Sequence, residues 1–282
     1  MLLLQAGTYN ERVILDGGDP VWMSGEGMVT IGQPSGGTAT QNALSVINGA
    51  DVTLIAVTIS DASGNPNSNA VQCNGSTLRL IESTVANARR TGIVADDCTL
   101  SVLQSTVSQN TGGGIAVNGS TYSITNNVIV ANGADGVAGS AKGGVLLAGA
   151  NAGIFEFNTL SGNGVINGAL LGSGLTCSGV TVPMSNNIIV SGGQGGGQGL
   201  VFGNCTHTYS LVEGGDTSMG NITGDPLFID PGLGNYHLQT GASGSPCIDA
   251  ADPAATLAID IDGDIRPLIV GGTRDMGADE AE

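Results

Sequence analysis

Asn74–Ala95 reads NGSTLRLIESTVANARRTGIVA, and Asp96–Val117 reads DDCTLSVLQSTVSQNTGGGIAV. Set one beneath the other, both pass from a turn into an alternating strand, a Ser-Thr-apolar step, a polar turn and a Gly-Ile strand. Self-similarity at a fixed period marks a repeat architecture, and the alternation inside each unit marks strands. The stretch therefore predicts an all-β solenoid of stacked coils.

The register extends to both sides when each unit is anchored on Thr58, Thr84, Thr106, Val128, Thr159 and Ile188, at intervals of 26, 22, 22, 31 and 29 residues. Four positions before the anchor stand Leu54, Leu80, Val102, Ile124, Phe155 and Met184; one after it stand Ile59, Val85, Val107, Ile129, Leu160 and Ile189. Eleven before it stand Ile47, Cys73, Ala95, Val117, Ala148 and Cys177, and ten before it the turn formers Asn48, Asn74, Asp96, Asn118, Gly149 and Ser178. Columns this regular place the same position of every coil on the same inward face. The position directly before the anchor is polar: after Val57 come Ser83, Ser105, Asn127, Asn158 and Asn187. A buried amide is tolerated only when hydrogen-bonded, and side chains stacked at about 4.8 Å can bond one another. These residues are read as a structural ladder, not as catalytic groups.

The chain has 282 residues, including 48 Gly, with 3% aromatic and 11% charged residues. A helical protein would carry far more Lys, Glu, Arg and Leu; Gly, Ser, Thr, Asn and Val favour short strands and turns. A net charge of −17 with seven Lys plus Arg excludes nucleic acid as a partner and disfavours polyanions unless a bound cation offsets the charge. No run of about 18 apolar residues exists, so no membrane insertion is expected. The start, MLLLQAGTYN, lacks a basic leader region, and the expectation is a mature or truncated chain.

Residues 1–42 are expected as irregular N-terminal coils, 43–213 as regular coils and 214–282 as a C-terminal cap segment, together one continuous domain. Five cysteines leave one unpaired. Cys73 and Cys98, and Cys177 and Cys205, flank successive corners at separations of 25 and 28. That placement suits two disulfides stapling adjacent coils, with free packed thiols as the alternative and Cys247 as a buried thiol in either case. Longer loops at 131–144 and 161–174, and a Gly-rich turn at 192–199, gather on one face, where solenoids often bind. No Lys or helix follows the Gly-rich turn, which excludes a phosphate cradle.

Two groups of residues invite a chemical reading. Arg89, Arg90, Asp96 and Asp97, with Arg79 and Glu82 nearby, form the densest charge cluster in the coils and could pair an Arg base with carboxylate-held Ca2+. Ordinary surface ion pairs on a solvated loop are the preferred reading. Asp260, Asp262 and Asp264 in DIDGDIRP have the alternate spacing of a Ca2+ loop, but the Glu that would complete an EF-hand is missing. A turn whose Asp side chains bond backbone amides and pair with Arg266 or Arg274 is preferred, capping the open end of the solenoid. His207 and His237 stand 30 apart with no zinc or triad pattern. Ile55, Ile81 and Leu103 beside Thr58, Thr84 and Thr106 form an outer face suited to a partner.

Gly7-Thr8-Tyr9-x-Glu11-x-Val13 followed by an apolar strand and Ser24-Gly25-Glu26-Gly27 resembles the opening coil of the pectin-lyase-like, right-handed parallel β-helix proteins. Asp225–Phe228, Asn235–Leu238, Ser245–Asp249, Asp260–Pro267 and Asp275–Glu280 resemble, as a series, the C-terminal segment of bacterial surface β-helix proteins with a choice-of-anchor Q domain. The resemblance implies a single-stranded right-handed parallel β-helix of about nine or ten coils, roughly 45 Å long, with a non-repeating C-terminal cap. It implies an extracellular or cell-surface monomer that contacts a polysaccharide or another surface partner. The fold hosts enzymes and non-enzymes alike. A non-catalytic scaffold or carbohydrate-contacting module is favoured, and the alternative is a polysaccharide lyase or related uronan-active enzyme with an Arg base and Ca2+.

Overall fold

Each unit of the sequence offers three alternating runs separated by residues that accept a left-handed backbone, and each coil accordingly has three short strands. The computed structural model of the chain describes residues 1–33, 42–61, 68–133, 142–149, 153–165, 169–191 and 197–282. Most of the polar 32–42 loop and parts of the 131–144, 161–174 and 192–199 loops lie outside the described residues.

All strand pairings in the solenoid are parallel, each strand bonded to its counterparts in the coils on either side. The first strip contains Val13–Asp16, Leu44–Ile47, Val71–Asn74, Thr91–Asp96, Gly113–Asn118 and Val145–Ala148. The second contains Asp51–Ile55, Thr77–Ile81, Thr99–Leu103, Thr121–Thr125 and Gly153–Glu156. The third contains Thr58–Asp61, Thr84–Ala86, Thr106–Ser108, Val128–Val130, Thr159–Ser161 and Ile188–Val190. Val21–Gln33 runs through the second and third strips, and Leu175–Ser185 through the first and second. The N-terminal residues share the register, Leu2–Tyr9 pairing with Val21–Gln33 across one irregularity between Gln5 and Gly7.

The complete turns number seven, from Val13 to Val190, with Leu2–Tyr9 before them and Val201–Val212 after them as partial turns. The stack is therefore about 34 Å long, shorter than the nine or ten coils expected. Three of the five anchor intervals are 26, 29 and 31 residues, so the stretch up to 213 makes fewer coils than expected.

The anchor residues are in one register: Thr58 pairs with Thr84, Thr84 with Thr106, Thr106 with Val128, Val128 with Thr159, and Thr159 with Ile188. The inward columns Leu54–Leu80–Val102–Ile124 and Ile59–Val85–Val107–Ile129–Leu160–Ile189 are fully buried. The turn column requires a correction. Asn74, Asp96 and Asn118 close their strands, Ser178 ends the first-strip part of Leu175–Ser185, and the left-handed residues are the next ones: Gly75 (φ 54°), Asp97 (φ 52°), Gly119 (φ 59°) and Gly179 (φ 92°). They align with Asn48 and Gly149, because those two coils carry one extra residue in this corner. The inward partners of Cys73 and Cys177 are accordingly Val46 and Leu147, not Ile47 and Ala148.

The second corner is left-handed at the non-glycine residues Ala56, Glu82, Gln104, Asn126, Phe157, Asn186 and Tyr209. Directly after it run the ladder residues. Ser105 N–H donates to Asn127 Oδ1 at 2.9 Å, Asn127 N–H and Nδ2 to Asn158 Oδ1 at 3.1 and 3.0 Å, and Asn158 N–H and Nδ2 to Asn187 Oδ1 at 2.9 and 3.1 Å. Ser83 accepts from Val57 N–H below it, and Ser210 and Asn221 carry the chain of bonds past Asn187. A second ladder, missed in the sequence, serves the third corner: Asn110, Asn132 and Asn163 are bonded in the same way. They stand four positions after their anchors, a spacing that was available to find them. Ser76 and Ser120 do the same at the first corner, accepting from Gly49 and Cys98 N–H.

Cys73 is bonded to Cys98 and Cys177 to Cys205, with Cα atoms 6.3 and 5.3 Å apart. Cys247 is free and buried, and burial pushes its thiol up to about 12.

Asn158→Ala should destabilise the protein by at least about 3 kcal/mol, since it strands buried donors and acceptors of two coils at about 1–3 kcal/mol each. Thr121→Ala, on an exposed outer position, should change stability by less than about 1 kcal/mol. Urea denaturation of both variants checks this, and equal losses would contradict the ladder's role.

Candidate functional site

Beyond Val212 the chain first closes the last turn, with Ile222 bridging Leu211. It then runs back along the outside of the third strip. The tail therefore covers a flank of the solenoid as well as its last coil. The second corner makes the attachment, because its left-handed residues point their side chains outward. Gln104 Nε2 donates to Asp260 O, Asn126 Nδ2 to Ile259 O, and Asn186 Oδ1 accepts from Asp252 N–H. Phe157, fully buried, joins Ile188 and Leu211 of the solenoid to Phe228, Leu238, Cys247 and Met276 of the tail in a second apolar cluster.

A buried guanidinium organises the tail. Arg266 lies 5.0 Å over the Phe157 ring and donates to the carbonyls of Asp275 and Gly277. Asp275 accepts from the amides of Asp249 and Ala281, and Glu280 from those of Leu268 and Asp275. Asp260, fully buried, accepts from Asp262, Asp264 and Glu280 N–H. Asp260, Asp262 and Asp264 therefore do not share an ion: Asp260 ties the turn together, and Asp262 turns away to His237.

Between this flank and the solenoid lies a cleft of about 650 Å3. Its solenoid wall is Thr106, Ser108, Gln109, Val128, Val130 and Ala131, and its tail wall comprises residues 231–237 with Ile261, Asp262, Ala278 and Asp279. The hairpin of Phe228–Asp230 and Asn235–Leu238 carries Tyr236 and His237 to the cleft, Tyr236 edge-on to Phe228 at 5.3 Å. His237 Nε2 lies 2.8 Å from Asp262 Oδ2 and 3.9 Å from Asp279 Oδ1. Burial favours the neutral imidazole, but the bond to Asp262 and the charges of Asp279, Asp262 and Asp260 outweigh it and raise its pKa. Of the cleft residues, Thr106 belongs to the expected outer face and Asp262 to the expected acidic turn, while His237 follows no zinc or triad pattern in the sequence. Their separation in sequence, from Thr106 to Asp279, hid the convergence.

The Arg and Asp cluster is held together only in part, with Arg90 and Asp96 both near Lys142. Asp96 accepts from Gln72 Nε2 at 2.8 Å and Asn118 Nδ2 at 2.7 Å, so it belongs to a stack of side chains along the first strip. Asp97 occupies the corner, Arg79 pairs with Asp51, and Arg89 and Arg90 are exposed. Lys142 lies close to Arg90 and Asp96. Burial lowers its pKa, the charge of Arg90 adds to this, and Asp96 opposes it.

The right handed beta helix region family model matches residues 69–222, more than half of the chain. Among solved structures, the crystal structure of pectate lyase Pel9A is similar with a TM-score of 0.51 at 12% identity, over 99% of this chain and 87% of that one. At that identity the likeness is one of fold. A search of curated proteins finds no match.

Burial pushes the Asp275 carboxyl up to about 6, against the Ala281 and Asp249 amides that favour its charge. A carboxyl raised above its unfolded value stabilises the fold when protonated, and that contribution is lost as pH rises through the folded value. Asp216, held at about 2 by the Ser218 hydroxyl and amide, acts in the opposite sense, but only below about pH 4. The protein should therefore be more stable at pH 5 than at pH 8, by on the order of 1 kcal/mol from Asp275. Thermal melts at the two pH values check this, and a higher melting temperature at pH 8 would contradict it.

Proposed function

The chain belongs to the right-handed β-helix family, and from that premise we propose that it is an extracellular, surface-associated protein that binds carbohydrate without cleaving it. One observation carries the reading: the flank cleft. At about 650 Å3 it is within the usual size of ligand sites. It sets hydroxyl and amide groups of Thr106, Ser108 and Gln109 opposite Tyr236, Asn235 and His237. Such a wall supplies donors and acceptors for sugar hydroxyls beside an aromatic ring. Among the described residues its lining contains carboxylates but no Lys or Arg, which favours a neutral glycan over a uronan. The surface location and the relationship to anchored bacterial proteins rest on the tail motifs, which build the cleft's second wall.

A polysaccharide lyase using Arg89 or Arg90 with Ca2+ is the second reading. The observation in its favour is Lys142 beside Arg90 and Asp96. Against it, Asp96 has both oxygens engaged by neighbouring side chains.

Affinity electrophoresis on neutral and uronic-acid polysaccharides, with absorbance of unsaturated products followed with and without Ca2+, tests both. Retardation on a neutral glycan that falls about tenfold in Tyr236→Ala, with no unsaturated product, is the expected outcome. Product formation abolished by Arg90→Ala would establish the lyase instead.

A further inference from the structure

We infer that His237, Asp262 and Asp279 form a binding site for a divalent transition-metal ion of the zinc type, at the rim of the flank cleft. Each residue offers one donor atom, and the three atoms lie within 4.8 Å of one another. A tetrahedral ion with bonds of about 2.0–2.1 Å separates its ligands by about 3.3 Å. The observed separations of 2.8 Å from His237 Nε2 to Asp262 and 3.9 Å to Asp279 bracket that value. Small side-chain shifts are enough to admit the ion.

The donors come from three different segments, and backbone bonds fix each one without a metal. His237 is set by the hairpin and by its amide bond to Asn235 Oδ1. Asp262 is set by its amide bond to Asp260 Oδ1. Asp279 uses Oδ2 to accept from Leu238 N–H at 2.7 Å. Hydrogen bonds of this kind are what orient metal ligands.

Asp279 turns its second carboxylate oxygen toward the cluster. Its side chain is only 9% exposed, and Oδ1 faces His237 Nε2 at 3.9 Å, too far for a hydrogen bond. Oδ1 has no hydrogen-bond partner among the described residues, and Asp260 and Glu280 are buried close by. A cation seated here would meet Oδ1 more closely than His237 does.

The donor set selects the ion. One imidazole nitrogen with two carboxylate oxygens suits zinc and its neighbours, whereas Ca2+ takes oxygen ligands throughout and more of them. Both clefts that meet at this cluster reach solvent, so further positions on the ion are open to water or to a sugar hydroxyl. The inference is independent of the carbohydrate reading, since the metal is measured without glycan.

The test is calorimetric titration of the chelator-treated full chain with Zn2+, with Ca2+ in a parallel arm. One Zn2+ per chain is expected, bound at least 30-fold more weakly by His237→Gln and by Asp262→Asn, with Ca2+ binding weaker than Zn2+ in the unmodified chain. Asp262 is exposed, so its variant keeps the test valid if His237→Gln fails to fold. Absence of Zn2+ binding, tighter Ca2+ binding, or Zn2+ binding unchanged in the Asp262→Asn variant would overturn the site. Glycan retardation with and without Zn2+, run separately, shows whether the ion serves the cleft.

Discussion

A parallel solenoid must turn its backbone sharply three times per coil, and each turn leaves an amide directed into the interior. The second corner is the most demanding, because seven successive coils adopt a left-handed conformation there without a glycine. The amide that follows is satisfied by a side chain of the next coil: Ser105 by Asn127, Asn127 by Asn158, Asn158 by Asn187. A buried donor without a partner costs about 1–3 kcal/mol, so the column of amides and hydroxyls ties the register of every coil to its neighbours. Strands of three to six residues could not maintain that register through pairing alone.

The same corner determines what surrounds the solenoid. Its left-handed residues direct Gln104, Asn126, Phe157 and Asn186 outward in a line, and the tail bonds to all four. In a chain of net charge −17, the single buried guanidinium of Arg266 gathers the acidic motifs of the tail around itself and seats them on Phe157. The cleft exists because this flank stands off from the outer Thr and Ser positions. Corner geometry, tail docking and the candidate site are thus successive consequences of one backbone requirement.

Periodicity made the solenoid legible. The anchor column and the two apolar columns recur with few exceptions, and strand alternation assigns their side. Single-residue insertions were harder to see: the extra residue in the first corner after Ile47 and Ala148 shifts the turn column by one without disturbing the anchors. The ladder of Asn110, Asn132 and Asn163 stood at a constant spacing and was legible in principle. The tail was legible as motifs but not as a position, since docking on the flank depends on contacts such as Gln104 to Asp260 that span most of the chain. For the same reason the cluster of Arg89, Arg90, Asp96 and Asp97 drew attention by local density, while His237, Asp262 and Asp279 converge only in three dimensions.

The dependence of the flank on the corner can be measured through Phe157→Ala. Alanine already occupies left-handed corners at Ala56 and Ala131, so this substitution removes the ring while leaving a backbone the chain tolerates. Hydrogen–deuterium exchange should then accelerate across residues 225–281, including the hairpin and the Arg266 network, while the coils from Val71 to Val130 keep their protection. Unchanged exchange in the tail, or loss of protection throughout the solenoid, would contradict the account.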